Sequence, residues 1–154
     1  MLDTLRANLS KACFTSELKS TYKSGVLAEL ADLLVANGAI QAARRDAILA
    51  ALIERETKMS TGMQSGVAIP HAKTPLVDHF ISAVALSGRG VNFDSLDGQP
   101  THIFVLTISP DTEIGGYIRF LADISRQLSS RAVREKLLEA RTPEAMVAAL
   151  CDTH

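Results

Sequence analysis

Two stretches in the first third of the chain repeat apolar residues at the three- and four-residue spacing that is typical of an amphipathic helix. The first helix is predicted to begin at a capping residue within 20–24 and to end at Gly38, and the second to cover 41–55. Before them, 2–12 is weakly helical, and 13–18 alternates well enough for a short strand. The candidate caps are Ser20, Thr21 and Ser24, and the apolar residues are Val26, Leu27, Leu30, Leu33, Leu34, Ile48, Leu49, Leu52 and Ile53.

Three apolar runs in the middle of the chain predict strands. They cover 67–69, 80–87 and 102–109, and the two longer runs are apolar enough to be buried on both faces of a sheet. The segment 59–65 is predicted to be a loop that leads into the first run, and Asp97-Gly98 is the sharpest turn signal between the other two.

Helical spacing returns after an acidic loop at 110–116. One helix is predicted over 117–127, and a shorter one follows a cap at Ser129 or Ser130. A last helix is predicted to begin at Thr142-Pro143-Glu144, where a capping residue precedes a proline. Two helices, several strands and three further helices predict an α/β sandwich in which helices cover a central sheet.

A chain of 154 residues has the length of one ordinary domain, so we expect a single domain over 1–154. Sixteen Lys and Arg against seventeen Asp and Glu give a formal charge of -1, which offers no global attraction to nucleic acid or to an anionic membrane. Cys13 and Cys151 form no disulfide framework. No apolar run approaches the roughly eighteen residues of a membrane span, so a cytoplasmic protein without direct membrane insertion is expected.

The candidate functional residue is His71, which follows the first apolar run in the sequence SGVAIPHAK at 65–73. Pro70 removes a backbone donor and favours extended geometry at Ile69, so the strand is predicted to end there and an ordered turn to present the imidazole. With a pKa of about 6.5, such a histidine could act as a base, a ligand or a phosphoryl acceptor. The alternative is a hydrogen-bonded loop histidine without a chemical role.

Arg55 lies at the end of the second predicted helix, and the loop after it can bring its guanidinium beside the imidazole of His71. A guanidinium stays charged and can bind two phosphate oxygens at once. The backbone N–H groups of His71, Ala72 and Lys73 are further candidate donors. This combination suits a phosphoryl group carried on His71. The alternative for Arg55 is a solvated charge that the helix dipole favours.

Competing chemistries lack their residues. The chain has no glycine-rich nucleotide-binding loop, no HExxH and no CxxC, so neither a metal site nor a cofactor is predicted. A Ser-His-Asp arrangement could be assembled around His71, but no nucleophile elbow is present. Its other members would be Ser60 or Ser65, and Asp78 or Asp94. His79 and His102 are interpreted as structural residues at strand edges, and His154 as a mobile terminal residue.

These residues resemble a known family, the enzyme IIA domains of the fructose-mannitol type from the bacterial sugar phosphotransferase system, which includes stand-alone nitrogen-regulatory members. GVAIPHAK at 66–73 resembles the family's GIAIPHGK, RETKMSTGM at 55–63 resembles its lead-in, and NFDSLDGQPTHIFVL at 92–106 resembles its WDSLDG-type turn and strand. The resemblance covers nearly the whole chain. It implies a three-layer α/β/α sandwich with a central mixed sheet. It also implies that His71 accepts a phosphoryl group from a small histidine-phosphorylated carrier protein, with Arg55 as the arginine beside it.

Two positions depart from the family pattern. Ala72 stands where the family usually has glycine. In GGYIRFLADIS at 115–125, Tyr117 stands where the family commonly has a second histidine, in a pattern like HLxFLAxIS. A tyrosine can donate a hydrogen bond to a phosphoryl oxygen, but it is neutral where an imidazole can be charged.

The predicted function is that of a histidine phosphocarrier of the phosphoenolpyruvate-dependent phosphotransferase system. His71 and Arg55 are the predicted transfer residues, and Tyr117, Ala72 and Lys73 are predicted to stabilise the phosphoryl group. The expected partners are the histidine-phosphorylated carrier and either a IIB domain or a regulated protein, with the regulatory output favoured. The alternative is a regulatory binding module that retains the fold without transferring phosphate, and Tyr117 favours it.

Overall fold

A computed structural model describes residues 2–113 and 115–152 of the chain. His154 lies outside the described residues. No helix in the described part combines the length and the apolar character that a membrane crossing requires. The helices are α1 (Asp3–Leu9), α2 (Lys23–Ala36), α3 (Arg45–Lys58), α4 (Gly115–Leu128), α5 (Arg131–Leu138) and α6 (Pro143–Cys151), and the strands are β1 (Cys13–Thr15), β2 (Val67–Ala68), β3 (His71–Lys73), β4 (Ile81–Val91) and β5 (Thr101–Ser109).

The strands form one mixed sheet around the antiparallel pair β4 and β5. β1 lies parallel to β4, and both β2 and β3 lie parallel to β5. The strands predicted over 80–87 and 102–109 are therefore confirmed as the central pair. β4 continues further than predicted, to Val91, after a register irregularity beyond Leu86. One edge of the sheet consists of the two short strands β2 and β3.

Alternate residues of the central strands point into two separate hydrophobic cores. Ala83 and Ala85 of β4 pack with α2 and α3, whereas Val84 and Leu86 pack with α1, α4, α5 and α6. Since helices cover both faces, the central strands are apolar at nearly every position of their paired segments. The three-layer α/β/α sandwich with a central mixed sheet is confirmed.

The helix starts follow their predicted caps in the second half of the chain but not in the first. Ser130 and Thr142 each accept a backbone N–H through the side chain at the start of α5 and α6. The caps predicted for α2 within 20–24 are wrong, because α2 begins after Tyr22 and no side chain caps it. The polar groups just before α2 donate instead to the carboxylate of Glu29 inside the helix.

The edge of the sheet is interrupted at Pro70 but keeps its register. Val67 lies opposite Ile103 and His71 lies opposite Thr107, so β2 and β3 have the same offset along β5. Pro70 has no N–H for the ladder, yet its carbonyl oxygen accepts the N–H of Thr107 at 3.0 Å. The prediction that Pro70 leads into a turn is therefore wrong. The strand resumes, and His71 is its first residue.

Candidate functional site

The candidate site lies at the open edge of the sheet, where α3 and α4 approach β3 from opposite faces. A cavity of about 300 Å³ opens there. Its lining comprises Ala51, Glu54, Arg55 and Lys58 of α3, the three residues His71, Ala72 and Lys73 of β3, and Tyr117 of α4. The fold thus brings together in one cavity all five of the site residues named from the sequence.

The imidazole of His71 has one ring nitrogen committed to the backbone. Nδ1 lies 2.8 Å from the carbonyl oxygen of Ile69, and since a carbonyl only accepts, Nδ1 carries the proton of the neutral ring. Burial lowers the pKa of His71; its hydrogen bond to Ile69 opposes this, the charge of Arg55 lowers the pKa further, and Glu56 raises it. The ring is therefore neutral at neutral pH, and Nε2 keeps the lone pair of a nucleophile.

The guanidinium of Arg55 is positioned by the end of α3. Its Nη1 donates to the carbonyl oxygen of Met59, the residue after the helix, at 2.8 Å. No carboxylate in the described part of the chain forms an ion pair with Arg55, whereas Lys58 in the same cavity is 3.8 Å from Glu54. The remaining N–H groups of Arg55 are therefore available to an anion that arrives beside His71.

A buried carboxylate ties the loop after Arg55 to the segment before His71. Glu56 accepts the backbone N–H of Thr61 at 2.9 Å and also its hydroxyl. The carbonyl oxygen of Thr61 in turn accepts the N–H of Ile69 at 3.1 Å. No pattern in the sequence indicates this network, in which hydrogen bonds join α3, the loop and the edge of the sheet.

Tyr117 of α4 contacts the imidazole of His71. The two ring centroids are 5.8 Å apart with an interplanar angle of 64°, an edge-to-face contact. Nζ of Lys73 lies 5.6 Å from the centroid of the tyrosine ring. Burial raises the pKa of Tyr117, so its phenol stays protonated and remains a donor. Its hydroxyl makes no hydrogen bond to any other described residue.

The backbone of β3 offers two of the three predicted donors. The carbonyl oxygen of Pro70 accepts a hydrogen bond from β5, and the N–H of Thr74 donates a hydrogen bond to β5. The backbone groups of every second residue in this segment therefore face β5. By this alternation the N–H of Ala72 also faces β5, whereas those of His71 and Lys73 face the open edge. The side chain of Ala72 is buried in the core beneath α3.

Four residues of the Ser-His-Asp alternative, Ser60, Asp94, Asp78 and His71, have other partners. The hydroxyl of Ser60 donates to a backbone carbonyl at 2.7 Å, and the carboxylate of Asp94 pairs with a lysine at 3.2 Å. Asp78 is hydrogen-bonded to His79, and the ring of His71 has a carbonyl as its hydrogen-bond partner. Residues 2–113 and 115–152 contain no group of histidine, cysteine and acidic side chains that could hold a metal ion.

Thr107 is a residue of this region that sequence analysis missed. It lies opposite His71 on β5 and is fully buried, and its hydroxyl has no hydrogen-bond partner among the described residues. The signal in the sequence is that Thr107 is the one polar residue in the run 103–108. A threonine is common in strands, so only the register between strands reveals that it lies opposite His71.

Known proteins resemble the chain over two thirds of its length or more. Residues 7–152 match the family described as "Phosphoenolpyruvate-dependent sugar phosphotransferase system, EIIA 2". The chain is 38% identical over 122 residues to the "PTS system fructose-specific EIIA component" of Haloferax volcanii, covering 79% of this chain and 78% of that protein. It is 32% identical over 104 residues to a "Nitrogen regulatory protein" of Bradyrhizobium diazoefficiens, covering 68% of each.

Solved structures share the fold. The nitrogen regulatory protein IIA-Ntr from Neisseria meningitidis superposes with a TM-score of 0.83 at 24% identity, covering 95% of this chain and 98% of that one. The mannitol IIA protein from Escherichia coli superposes with a TM-score of 0.73 at 16% identity, covering 90% and 95%. Because the family match spans residues 7–152, the chain belongs to the EIIA 2 family of the phosphoenolpyruvate-dependent sugar phosphotransferase system.

Proposed function

We propose that this chain is a histidine phosphocarrier that accepts a phosphoryl group on Nε2 of His71. The observation that carries the proposal is the combination, in one cavity, of an imidazole whose Nδ1 is held by a carbonyl and a guanidinium without an acidic partner among the described residues. The free Nε2 is a nucleophile, and the charge of Arg55 favours the arrival of an anionic group beside it.

The donor in this proposal is a phosphohistidine on a small carrier protein. In the transfer, the N–P bond on the carrier breaks and a bond forms between phosphorus and Nε2 of His71. The electron pair of the broken bond returns to the imidazole of the carrier. Because Nδ1 of His71 is already the protonated nitrogen, no proton has to leave the ring during the transfer.

The other residues of the cavity have distinct roles in the proposal. Arg55 binds two phosphoryl oxygens through its planar N–H groups. The outward backbone N–H groups of β3, the ammonium of Lys73 and the hydroxyl of Tyr117 are further donors at the rim. Ala72 supports the site as a buried residue of β3, since its N–H faces β5 and its side chain faces the core.

After acceptance, the phosphoryl group passes to a IIB partner or serves as a regulatory signal, in the cytoplasm in either case. The relatives support both outputs, because they include a fructose-specific EIIA component and nitrogen regulatory proteins. A solved structure with this fold is the mannitol IIA protein of Escherichia coli in a complex with phosphorylated IIB, with a TM-score of 0.75 at 15% identity. The open edge of the sheet beside His71 is the surface that such a partner has to reach.

A second candidate function is a regulatory binding module that keeps the fold and transfers no phosphate. The observation that favours it is Tyr117, a neutral phenol in edge-to-face contact with the imidazole of His71. A tyrosine at this place can donate a hydrogen bond to a phosphoryl group on His71. It is neutral, so it supplies no positive charge when that group leaves for a partner.

Incubation with a phosphoenolpyruvate-driven histidine carrier system separates these functions. The phosphocarrier is expected to gain about one acid-labile phosphate per chain, and a reaction without the carrier is the control. A IIB domain is then added to the phosphorylated, purified chain. Loss of the phosphate to IIB identifies a transfer function, and retention identifies a regulatory output. Absence of any acid-labile phosphate would contradict the phosphocarrier and leave the binding module.

A further inference from the structure

Three polar residues on neighbouring strands share one row across the sheet at the site. His71 of β3 lies opposite Thr107 of β5, and Thr107 lies opposite Ser82 of β4. Residues directly opposite one another point to the same face of a sheet. This face is the one that α4 covers, because the ring of His71 contacts Tyr117 of that helix. The side chain of Thr107 thus lies on the same face as the imidazole, at the adjacent position of the row.

The hydroxyl of Thr107 is an unsatisfied polar group. Thr107 is 0% exposed, and its Oγ1 has no hydrogen-bond partner among the described residues. Buried hydroxyls are nearly always hydrogen-bonded, because removing them from water without a partner is unfavourable. Thr101 on the same strand is equally buried, and its Oγ1 lies 3.0 Å from the hydroxyl oxygen of Ser95. Among the described residues, the hydroxyl of Thr107 is therefore left free to donate to a group that arrives beside it.

The hydrogen bonding of the His71 ring decides which of its nitrogens can carry an acceptor for the Thr107 hydroxyl. Its Nδ1 is held by the carbonyl oxygen of Ile69, so any group bound to the ring is carried by Nε2. A phosphoryl group on Nε2 brings three strong acceptor oxygens to this part of the site. We propose that the hydroxyl of Thr107 donates a hydrogen bond to a phosphoryl oxygen on His71. This inference rests on the proposed function and adds to it a donor that acts only in the phosphorylated state.

A donor of this kind affects the two states in opposite directions. In the phosphorylated protein it holds one charged oxygen and lengthens the lifetime of the phosphohistidine. In the unphosphorylated protein its unpaired hydroxyl lowers stability, because the desolvated group gains no hydrogen bond in return. Thr107→Val keeps the shape of the side chain and removes the hydroxyl, so it should shorten the lifetime without destabilising the unphosphorylated fold.

The test uses chemical phosphorylation with phosphoramidate, in which the P–N bond of the reagent breaks, ammonia leaves and phosphorus bonds to Nε2. The decay of the phosphohistidine is followed by ³¹P NMR in the parent, Thr107→Val and Thr107→Ser, with Thr101→Val as the matched control. Thr107→Val should decay roughly tenfold faster, in line with one hydrogen bond to a charged group. Thr107→Ser and Thr101→Val should decay at the parental rate. In thermal unfolding without phosphate, Thr101→Val should unfold at a lower temperature than Thr107→Val.

Equal lifetimes in Thr107→Val and the parent would overturn the inference. So would a loss of thermal stability in Thr107→Val as large as that in Thr101→Val, because the hydroxyl would then have a partner before phosphorylation. Failure of phosphoramidate to label His71 in the parent would also overturn it, since the site would not admit the group. Labelling by phosphoramidate together with no labelling by the carrier system would contradict only the proposed function.

Discussion

The two ends of β5 each place a histidine beside the same kind of hydrogen-bond partner. At one end, His102 has its Nδ1 2.8 Å from the carbonyl oxygen of Ser87. At the other end, His71 lies opposite Thr107, and its Nδ1 is also 2.8 Å from a carbonyl oxygen, that of Ile69. In both rings the hydrogen bond leaves Nε2 as the second nitrogen. The local hydrogen bonding of the two imidazoles therefore does not distinguish the proposed phosphoryl acceptor from the other histidine.

The surroundings of the two rings differ. A Cβ added at Gly90 would lie 3.1 Å from Nε2 of His102, so the second nitrogen of that ring is packed against backbone. Nε2 of His71 belongs instead to a ring that lines a cavity with Arg55 and Lys73. On the proposed function, Nε2 of His71 is the phosphoryl acceptor because of the space and the positive charge in front of it.

The largest expected effect is the loss of phosphate acceptance in His71→Ala. Removing the imidazole removes the nucleophile, and the loss of stability should be small because the ring lines an open cavity and does not fill the core. His102→Ala should accept phosphate to the parental level per folded molecule. Labelling with a phosphoenolpyruvate-driven carrier system and counting of acid-labile phosphate measures both variants. Residual labelling in His71→Ala would show that another residue accepts the group.

A smaller effect is expected from Arg55→Lys. The substitution keeps the charge but loses the planar pair of donors, so the rate of phosphoryl acceptance should fall about ten- to one-hundredfold. Arg126→Lys is the matched control, because Arg126 is an exposed arginine that pairs with Asp123 on the surface of α4. Stopped reactions at a limiting carrier concentration give the two rates. An unchanged rate in Arg55→Lys would place that guanidinium outside the transfer step.

The smallest expected effect is on stability. The pKa of His71 is lowered in the folded protein, so the unfolded chain binds its proton more readily, and the free energy of unfolding falls as the pH falls below about 6.5. His71→Ala removes this contribution, so its free energy of unfolding should fall less than that of the parent between about pH 7.5 and pH 5.5. Urea titrations at both pH values measure the difference. An equal or steeper fall in the variant would contradict the lowered pKa.

The sequence predicted the parts of this molecule that depend on local pattern. Apolar spacing predicts a helix within 20–38 and one over 41–55, where α2 (Lys23–Ala36) and α3 (Arg45–Lys58) are found, and it also predicts the central strands. Arg55 and His71 are predicted to lie together because a short loop can bring them together, and both line the same cavity. The caps predicted for α2 were wrong because Glu29, a residue inside the helix, accepts the hydrogen bonds of the preceding segment. Whether Glu29 or a capping side chain forms the hydrogen bonds at the start of α2 depends on side-chain positions, which the spacing of apolar residues does not reveal.

The continuation of the edge strand and the place of Thr107 depend on pairing between distant segments. Pro70 is a local stop signal, but β5 continues alongside it, and the N–H of Thr107 on β5 donates to the carbonyl oxygen of Pro70. β3 therefore forms in the same register as β2. The position of Thr107 opposite His71 follows from the same register. Residues far apart in the chain set that register, so neither feature follows from the pattern of either segment alone.

The most direct test of the account is to find which atom carries the phosphate. The chain is labelled with ¹⁵N in its histidine rings, phosphorylated by the carrier system and examined by ¹⁵N and ³¹P NMR. We expect one phosphohistidine, with the ³¹P nucleus coupled to Nε2 of His71 and the proton on Nδ1, because the Ile69 carbonyl holds that proton. Phosphate on Nδ1 of His71, or on the ring of His102 or His79, would contradict it.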